Sequence, residues 1–367
     1  MIGLVGTARL PRELHPVAWW IWALGLAAAA SFTTNPLLLL LIVGVAAVAV
    51  ALRRSDQPWA DSFRLYVILG VIIVAVRVGF RLLFGTGIPG TVLVDLPAIV
   101  LPDWAAGIVL LGPITRESLL AGLYDGLRLA AIVISIGAAN ALANPKRLLR
   151  SVPPALYEIG TALVVAVTML PQFADSVRRV RAAQSLRGGD TGRVRRLRRF
   201  LVPVLEDALE RSLAMAAGMD ARGYGRAGAV STAQRRRTGA LMLLGLIGVC
   251  VGTYAVLDPT APRWLAGPML LAGLVVAGLG FVSAGSRVHR TRYRPDPWRW
   301  PELMVLGSGV VVGAAAWWMN RHQITIAYPS TDVVPQLSLL ALAAMAIGLA
   351  GALCAPDQGG ATRKAGP

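Results

Sequence analysis

The sequence predicts an all-α polytopic membrane protein, with about eight transmembrane helices and a cytoplasmic insert of two long crossing helices. Three observations carry this. Mean hydropathy is +0.62, and 56% of the 367 residues are hydrophobic. Only 15% are charged, against about 25% in soluble domains. Apolar runs of about 17–22 residues recur, each able to cross a hydrocarbon core of ~30 Å at ~1.5 Å per residue. A barrel would need alternating strands, and Pro36-Leu37-Leu38-Leu39-Leu40-Leu41-Ile42-Val43 does not alternate.

Apolar runs fall near 17–34, 36–52, 64–84, 118–142, 155–170, 239–257, 264–284, 302–319 and 335–354. Charge sorts them. The net charge is +17, carried almost wholly by arginine, since lysine occurs only at Lys146 and Lys364. In a membrane protein such an excess marks cytoplasmic loops, and it does not by itself call for nucleic acid as a partner. Loop 53–61 carries Arg53 and Arg54, and loop 143–154 carries Lys146, Arg147 and Arg150. Region 178–237 holds 15 arginines against Asp190, Glu206, Asp207, Glu210 and Asp220, and loop 286–299 has five arginines against Asp296. All four are expected inside. The 85–117 connection carries Asp95, Asp103 and Glu117 against Arg116, and it is expected outside with 320–334. It is also too long and too rich in Gly and Pro for an idle turn.

Parity then removes one run. A crossing at 155–170 would put the basic segments 143–154 and 178–237 on opposite sides, and Glu158 is costly at a bilayer centre. Residues 155–170 are therefore read as a helix at the cytoplasmic interface or packed on the other helices, leaving eight spans with both termini cytoplasmic. Thr33-Thr34-Asn35-Pro36 supplies the turn between the first two spans. The pattern divides the chain into N-terminal spans (1–142), the basic insert (143–237), one span (238–257) and a C-terminal group of about three spans (258–367). No cleavable leader is visible, because Arg12, Glu13 and His15 precede the first run.

Within the insert, Pro171 can open a helix that Gly188-Gly189 stops. A basic linker, Arg193 to Arg199, follows, and a second helix is predicted from Pro203 to about Arg222, ended by Gly223 and Gly225. Glu206, Asp207 and Glu210 suit its positive N-terminal end, and Arg187 and Arg222 suit the negative ends of the two helices. Small residues recur at Ala182 and Ala183 on the first helix, and at Ala214, Ala217, Gly218 and Ala221 on the second. Such stripes allow close helix crossing. Two arginine-tipped ends would then face one way, where a guanidinium can fork onto carboxylates or carbonyls of a partner protein.

Several chemistries find no support. A phosphate-cradling Walker A loop needs Gly-Lys followed by Ser or Thr, but Lys146 follows Pro145 and Lys364 precedes Ala365. His15, His289 and His322 are scattered, and no Cys-x-x-Cys pair exists, so no metal site can be assembled. Cys250 and Cys354 lie in apolar segments and read as buried hydrophobes. Asp125 and Glu158 are expected to pair with Arg128 or a nearby interfacial arginine. Arg81 can snorkel to its span's end, and Arg77 is expected to face the bundle interior. The alternative, a stand-alone secondary transporter or channel, favours an internal repeat, and none is visible.

The helix ends Ala182-Ala183-Gln184-Ser185-Leu186-Arg187-Gly188 and Ala217-Gly218-Met219-Asp220-Ala221-Arg222-Gly223-Tyr224 resemble the Ala-Arg-Gly signatures of energy-coupling factor transporter transmembrane components, the EcfT/CbiQ family. In the first copy Leu186 stands where the family has Ala. Leu14-His15-Pro16, Asn35-Pro36, Gly122-Leu123-Tyr124-Asp125-Gly126-Leu127-Arg128 and Met169-Leu170-Pro171 are similar to further family marks. The resemblance covers roughly residues 12–257. It implies a non-enzymatic coupling subunit in the plasma membrane of a prokaryote. Its two coupling helices would grip two ABC-type ATPase subunits through Arg187, Gly188, Ala221, Arg222 and Gly223. A membrane S-component would capture a vitamin or metal ion. ATP would be bound by the partner subunits, and this chain would carry no cofactor.

Overall fold

The computed structural model describes residues 14–54, 61–84, 90–100, 109–151, 154–187, 193–224, 231–258, 260–285 and 298–355. All nine apolar runs are helical. Seven helices are long and apolar enough to cross a membrane: α2 (Pro36–Arg53), α3 (Ser62–Leu83), α4 (Arg116–Leu142), α6 (Tyr157–Arg187), α8 (Thr232–Leu257), α9 (Arg263–Gly285) and α10 (Trp300–His322). Two apolar helices are shorter, α1 (Pro16–Ser31) and α12 (Leu339–Leu353). The fold is thus all-α and polytopic. Contacts divide the chain into two compact units, Met1–Leu148 with Pro295–Pro367, and Leu149–Arg294.

In the first unit, local capping starts the helices where the sequence changes character. The Val17 amide donates to His15 Nδ1 with Pro16 in the first turn of α1, and the Leu37 amide donates to Asn35 Oδ1 with Pro36 opening α2. Proline fits there because the missing N–H has no helical partner in any case. The core forms around Trp19, Trp22, Leu26, Leu39 and Ile42, all at most 1% exposed. Trp19 and Trp22 meet edge to face at 5.7 Å, a favoured aromatic geometry.

α10 and α12 complete this core. α10 lies so close to α1 that a Cβ added at Gly25 would sit 2.0 Å from the Gly309 carbonyl oxygen. The indole N–H of Trp22 donates to the Gly348 carbonyl at 3.0 Å, and Arg53 donates to the Leu353 carbonyl. The turn between α1 and α2 is held by α11 (Ile324–Ala327) and the segment after it. Thr33 Oγ1 donates to the Ala327 carbonyl at 2.7 Å, and Asn35 Nδ2 donates to the carbonyls of Ile326 at 2.9 Å and Gln336 at 2.7 Å. Buried amide groups need such partners, and each is supplied from about 300 residues away along the chain.

α3 packs on α4 through small residues of both helices, Gly70 on α3 and Gly122, Gly126 and Gly137 on α4. Asn140 Nδ2 donates to Tyr66 Oη at 2.7 Å. The connection between these helices carries two small antiparallel pairs, β1 (Val92–Asp95) with β4 (Pro113–Thr115), and β2 (Ile99–Val100) with β3 (Val109–Leu110). Asp125 pairs at 3.3 Å with Arg81, the nearby arginine at its span's end, which is the second of the two expected partners. α5 (Pro145–Arg150) follows α4.

In the second unit, a 3-10 turn at Pro154–Leu156 leads into α6, followed by α7 (Arg193–Ala221), α8 and α9. α8 and α9 close on each other through Gly245, Gly248 and Gly252, where added Cβ atoms would lie 2.5–2.8 Å from backbone atoms of Ala277, Gly273 and Leu270. Small residues of this kind let membrane helices gain dispersion contact. Thr238 and Ser283 hydroxyls meet across the pair at 3.1 Å.

Two predicted breaks are corrected. Pro171 does not open a helix, because α6 runs through it from Tyr157, so 155–170 is not a separate interfacial helix. Likewise α7 starts at Arg193, runs through Pro203 and turns the expected basic linker into helix. Internal proline removes one backbone hydrogen bond, and long flanking helical runs outweigh that local cost. The Thr168 hydroxyl also ties the turn before Pro171 to the Val164 and Val165 carbonyls at 2.9 Å.

Candidate functional site

The two long helices of the insert, α6 and α7, meet near their middles. Ser176 and Val204 are buried there, at 3% and 2% exposure. Asp207 gathers the polar contacts. It accepts from the Ser176 hydroxyl, from Arg211 Nε at 3.0 Å and from Arg179 Nη2 at 3.5 Å. The Ser176 hydrogen bond foremost, then Arg211, hold its carboxyl below the ordinary carboxylate range. Arg179 reaches across from α6, whereas Arg211 lies one turn along α7. The pairs are partly solvated, so water screens each of them. Their role is to fix how the two helices approach.

Beyond this contact α6 continues to Arg187 and α7 to Ala221. α7 ends in a built cap. Gly223 has φ +77°, in the left-handed region that glycine enters without a Cβ clash. The Gly223 amide donates to the Asp220 carbonyl at 2.9 Å, and the Tyr224 amide donates to the Met219 carbonyl at 3.0 Å. This pair of bonds is a Schellman motif, with Gly223 one position past the cap residue, Arg222. The Arg-Gly order therefore has a physical basis. Glycine turns the chain, and the preceding arginine stands at the negative end of the helix. Arg222 and Ala221 are exposed. α6 likewise ends at Arg187, but the Arg187 side chain and Gly188 lie outside the described residues.

The small residues read as crossing positions have a different setting in this chain. Ala182, Ala183, Ala214, Ala217 and Gly218 are all exposed, and a Cβ added at Gly218 would meet nothing within 4 Å. The described contact between α6 and α7 is built instead from Ser176, Arg179, Val204, Asp207 and Arg211. Sequence reasoning passed over a second feature of α7. Leu197, Leu201, Leu205, Leu209 and Leu213 are 41–63% exposed and recur at every fourth position. Neighbours at that spacing stack along a helix, so the five make an apolar row that winds slowly around it. The repeat is visible in the sequence, but it was hidden by the arginines around it.

Among the described residues, no group of three His, Cys, Asp or Glu side chains could hold a metal ion. His15 stacks on Trp298 at 4.8 Å and His322 on Trp318 at 4.5 Å. Cys250 and Cys354 are exposed in the isolated chain, not buried.

Comparison with curated proteins gives no match. The family model of CbiQ, described as cobalt transport protein, matches residues 7–232, which include both insert helices and the Schellman-capped end. The chain therefore belongs to the CbiQ family of membrane transport components.

Proposed function

We propose that this chain is the transmembrane coupling subunit of an energy-coupling factor importer. It would transmit ATP-driven motion from two ABC-type ATPase subunits to a membrane S-component that captures a vitamin or metal ion. The observation that supports this best is the end of α7, where an exposed Arg222 stands on a helix closed by two backbone hydrogen bonds around Gly223. A rigid tip of this kind can deliver a guanidinium to acceptors on another protein and pass on a push along the helix axis. Arg187 with Gly188 would do the same on α6, so residues 143–237 form the coupling region.

The exposed Ala182, Ala183, Ala214, Ala217 and Gly218 leave room for close helix approach in the assembled transporter. The leucine row of α7 offers an apolar face to the S-component. ATP is bound by the partner subunits, and this chain supplies no cofactor. In this reading the protein lies in a prokaryotic plasma membrane with both termini in the cytoplasm.

The test is co-purification of the full chain with co-expressed ATPases and S-component. Arg187→Glu combined with Arg222→Glu is expected to release the ATPases while the protein still inserts. Unchanged ATPase recovery would overturn the role given to these arginines. Cysteines placed at Ser185 and Met219 are expected to resist labelling from outside intact cells.

A further inference from the structure

α3 is a 22-residue apolar helix packed on α4, in which only Gly70 is fully buried. At ~1.5 Å per residue it spans a ~30 Å hydrocarbon core, which places its C-terminal end at a membrane interface. At that end a surface cleft of about 500 Å³ is lined by Arg77, Phe80, Arg81, Phe84, Gly122 and Asp125. Arg81 bridges to Asp125 at 3.3 Å. Arg77, expected in the bundle interior, is instead exposed and has no acidic partner among the described residues.

Glycines shape this cleft. A Cβ added at Gly122 would lie 2.8 Å from Arg81 Cγ, and one at Gly126 would lie 3.3 Å from Arg77 Cβ. Both arginine stems thus pass through gaps left by missing side chains on α4. Phe80 and Phe84, stacked at 5.4 Å, are 56% and 37% exposed beside them. Leu65, Ile68, Leu69, Val76 and Leu83 are exposed along the same helix. The cleft therefore opens onto a surface suited to acyl chains.

The two arginines and Asp125 leave one positive charge uncompensated in a membrane span. An unpaired arginine there is costly, most at the helix centre and less toward the ends. Arg77 stands about four residues, or ~6 Å, below Arg81, and its stem is long enough to snorkel to the phosphate level. An anion that arrives with its own hydrocarbon chains satisfies both halves of the site.

We propose that the Arg77–Arg81 cleft binds the phosphate of an anionic phospholipid, with Arg77 as the principal donor and Phe80 and Phe84 against the acyl chains. Arg81 is a positioning residue, held at the cleft wall by its bridge to Asp125. Fixed phosphate at this point would tether the α3 end at the interface.

The experiment uses the full chain in nanodiscs of phosphatidylcholine doped with phosphatidylglycerol, and native mass spectrometry of the protein released from them. Arg77→Gln is expected to retain phosphatidylglycerol about tenfold less well, the loss of one charge-assisted hydrogen bond. Arg77→Lys is expected to recover part of it. Arg77 is exposed, so neither change threatens folding, and matched thermal midpoints will verify this. Equal lipid retention by Arg77→Gln and the unchanged chain overturns the proposal. So does displacement of the lipid by inorganic phosphate alone, which would make this a soluble-anion site.

Discussion

The Tyr224 amide closes on the Met219 carbonyl across 3.0 Å, and it can do so only because Gly223 between them turns left-handed. The position of Arg222 depends on this turn.

Replacing Gly223 with alanine forces a Cβ into that conformation, at a cost of about 1–2 kcal/mol. Gly223→Ala is expected to fray the last turn of α7 without altering insertion. Amide exchange at Tyr224 should rise by roughly tenfold, the equivalent of ~1.4 kcal/mol. Unchanged protection would show that the cap does not hold this end.

The contact at Asp207 is expected to depend on acid. Its carboxyl is held below the ordinary range by Ser176 and Arg211, so the folded pKa is depressed relative to the unfolded one. The stabilisation is therefore complete above the unfolded value, near ~3.9, and is lost as pH falls through the folded value. Spin labels at Gln184 and Ser212 should report a broadened distance between α6 and α7 once pH falls below the ordinary carboxylate range. In Asp207→Asn the breadth should already be present at neutral pH and no longer respond to acid.

Asn35 does two tasks at once, capping α2 and donating to the Ile326 and Gln336 carbonyls. Asn35→Ala removes the cap and leaves buried carbonyls without donors, for a combined loss of about 2–4 kcal/mol. Asn35→Asp keeps the cap and loses the donors, and is expected to fall between. Thermal unfolding in detergent orders the three chains. An alanine variant as stable as the unchanged protein would refute the clasp.

Much of this was legible in the sequence where composition acts over long windows. All nine apolar runs are helices because a span needs only length and hydrophobicity. Asn35-Pro36 and Arg222-Gly223 were legible because capping and left-handed turns depend on residues within one turn. Pro171 and Pro203 misled for the opposite reason. A local breaker says nothing of the helical segments on either side, and together those kept α6 and α7 continuous. Arg77 misled as well. A charge in a span is usually turned inward, whereas Gly122 and Gly126 give this one a lateral opening that no periodicity reveals. Nor could spacing show that Thr33, Asn35 and Trp22 find their partners in α10–α12 and the segments joining them, because such pairings depend on tertiary docking.

That docking has a consequence for biogenesis. Trp22 is separated from the Gly348 carbonyl it binds by 326 positions. At a synthesis rate of about 5–20 residues per second, α1 waits about 15–65 s for α12. Until α10 is made, the flank of α1 that receives Gly309 stays without it. The nascent chain must therefore store the α1–α2 hairpin, half assembled, until α12 has been made.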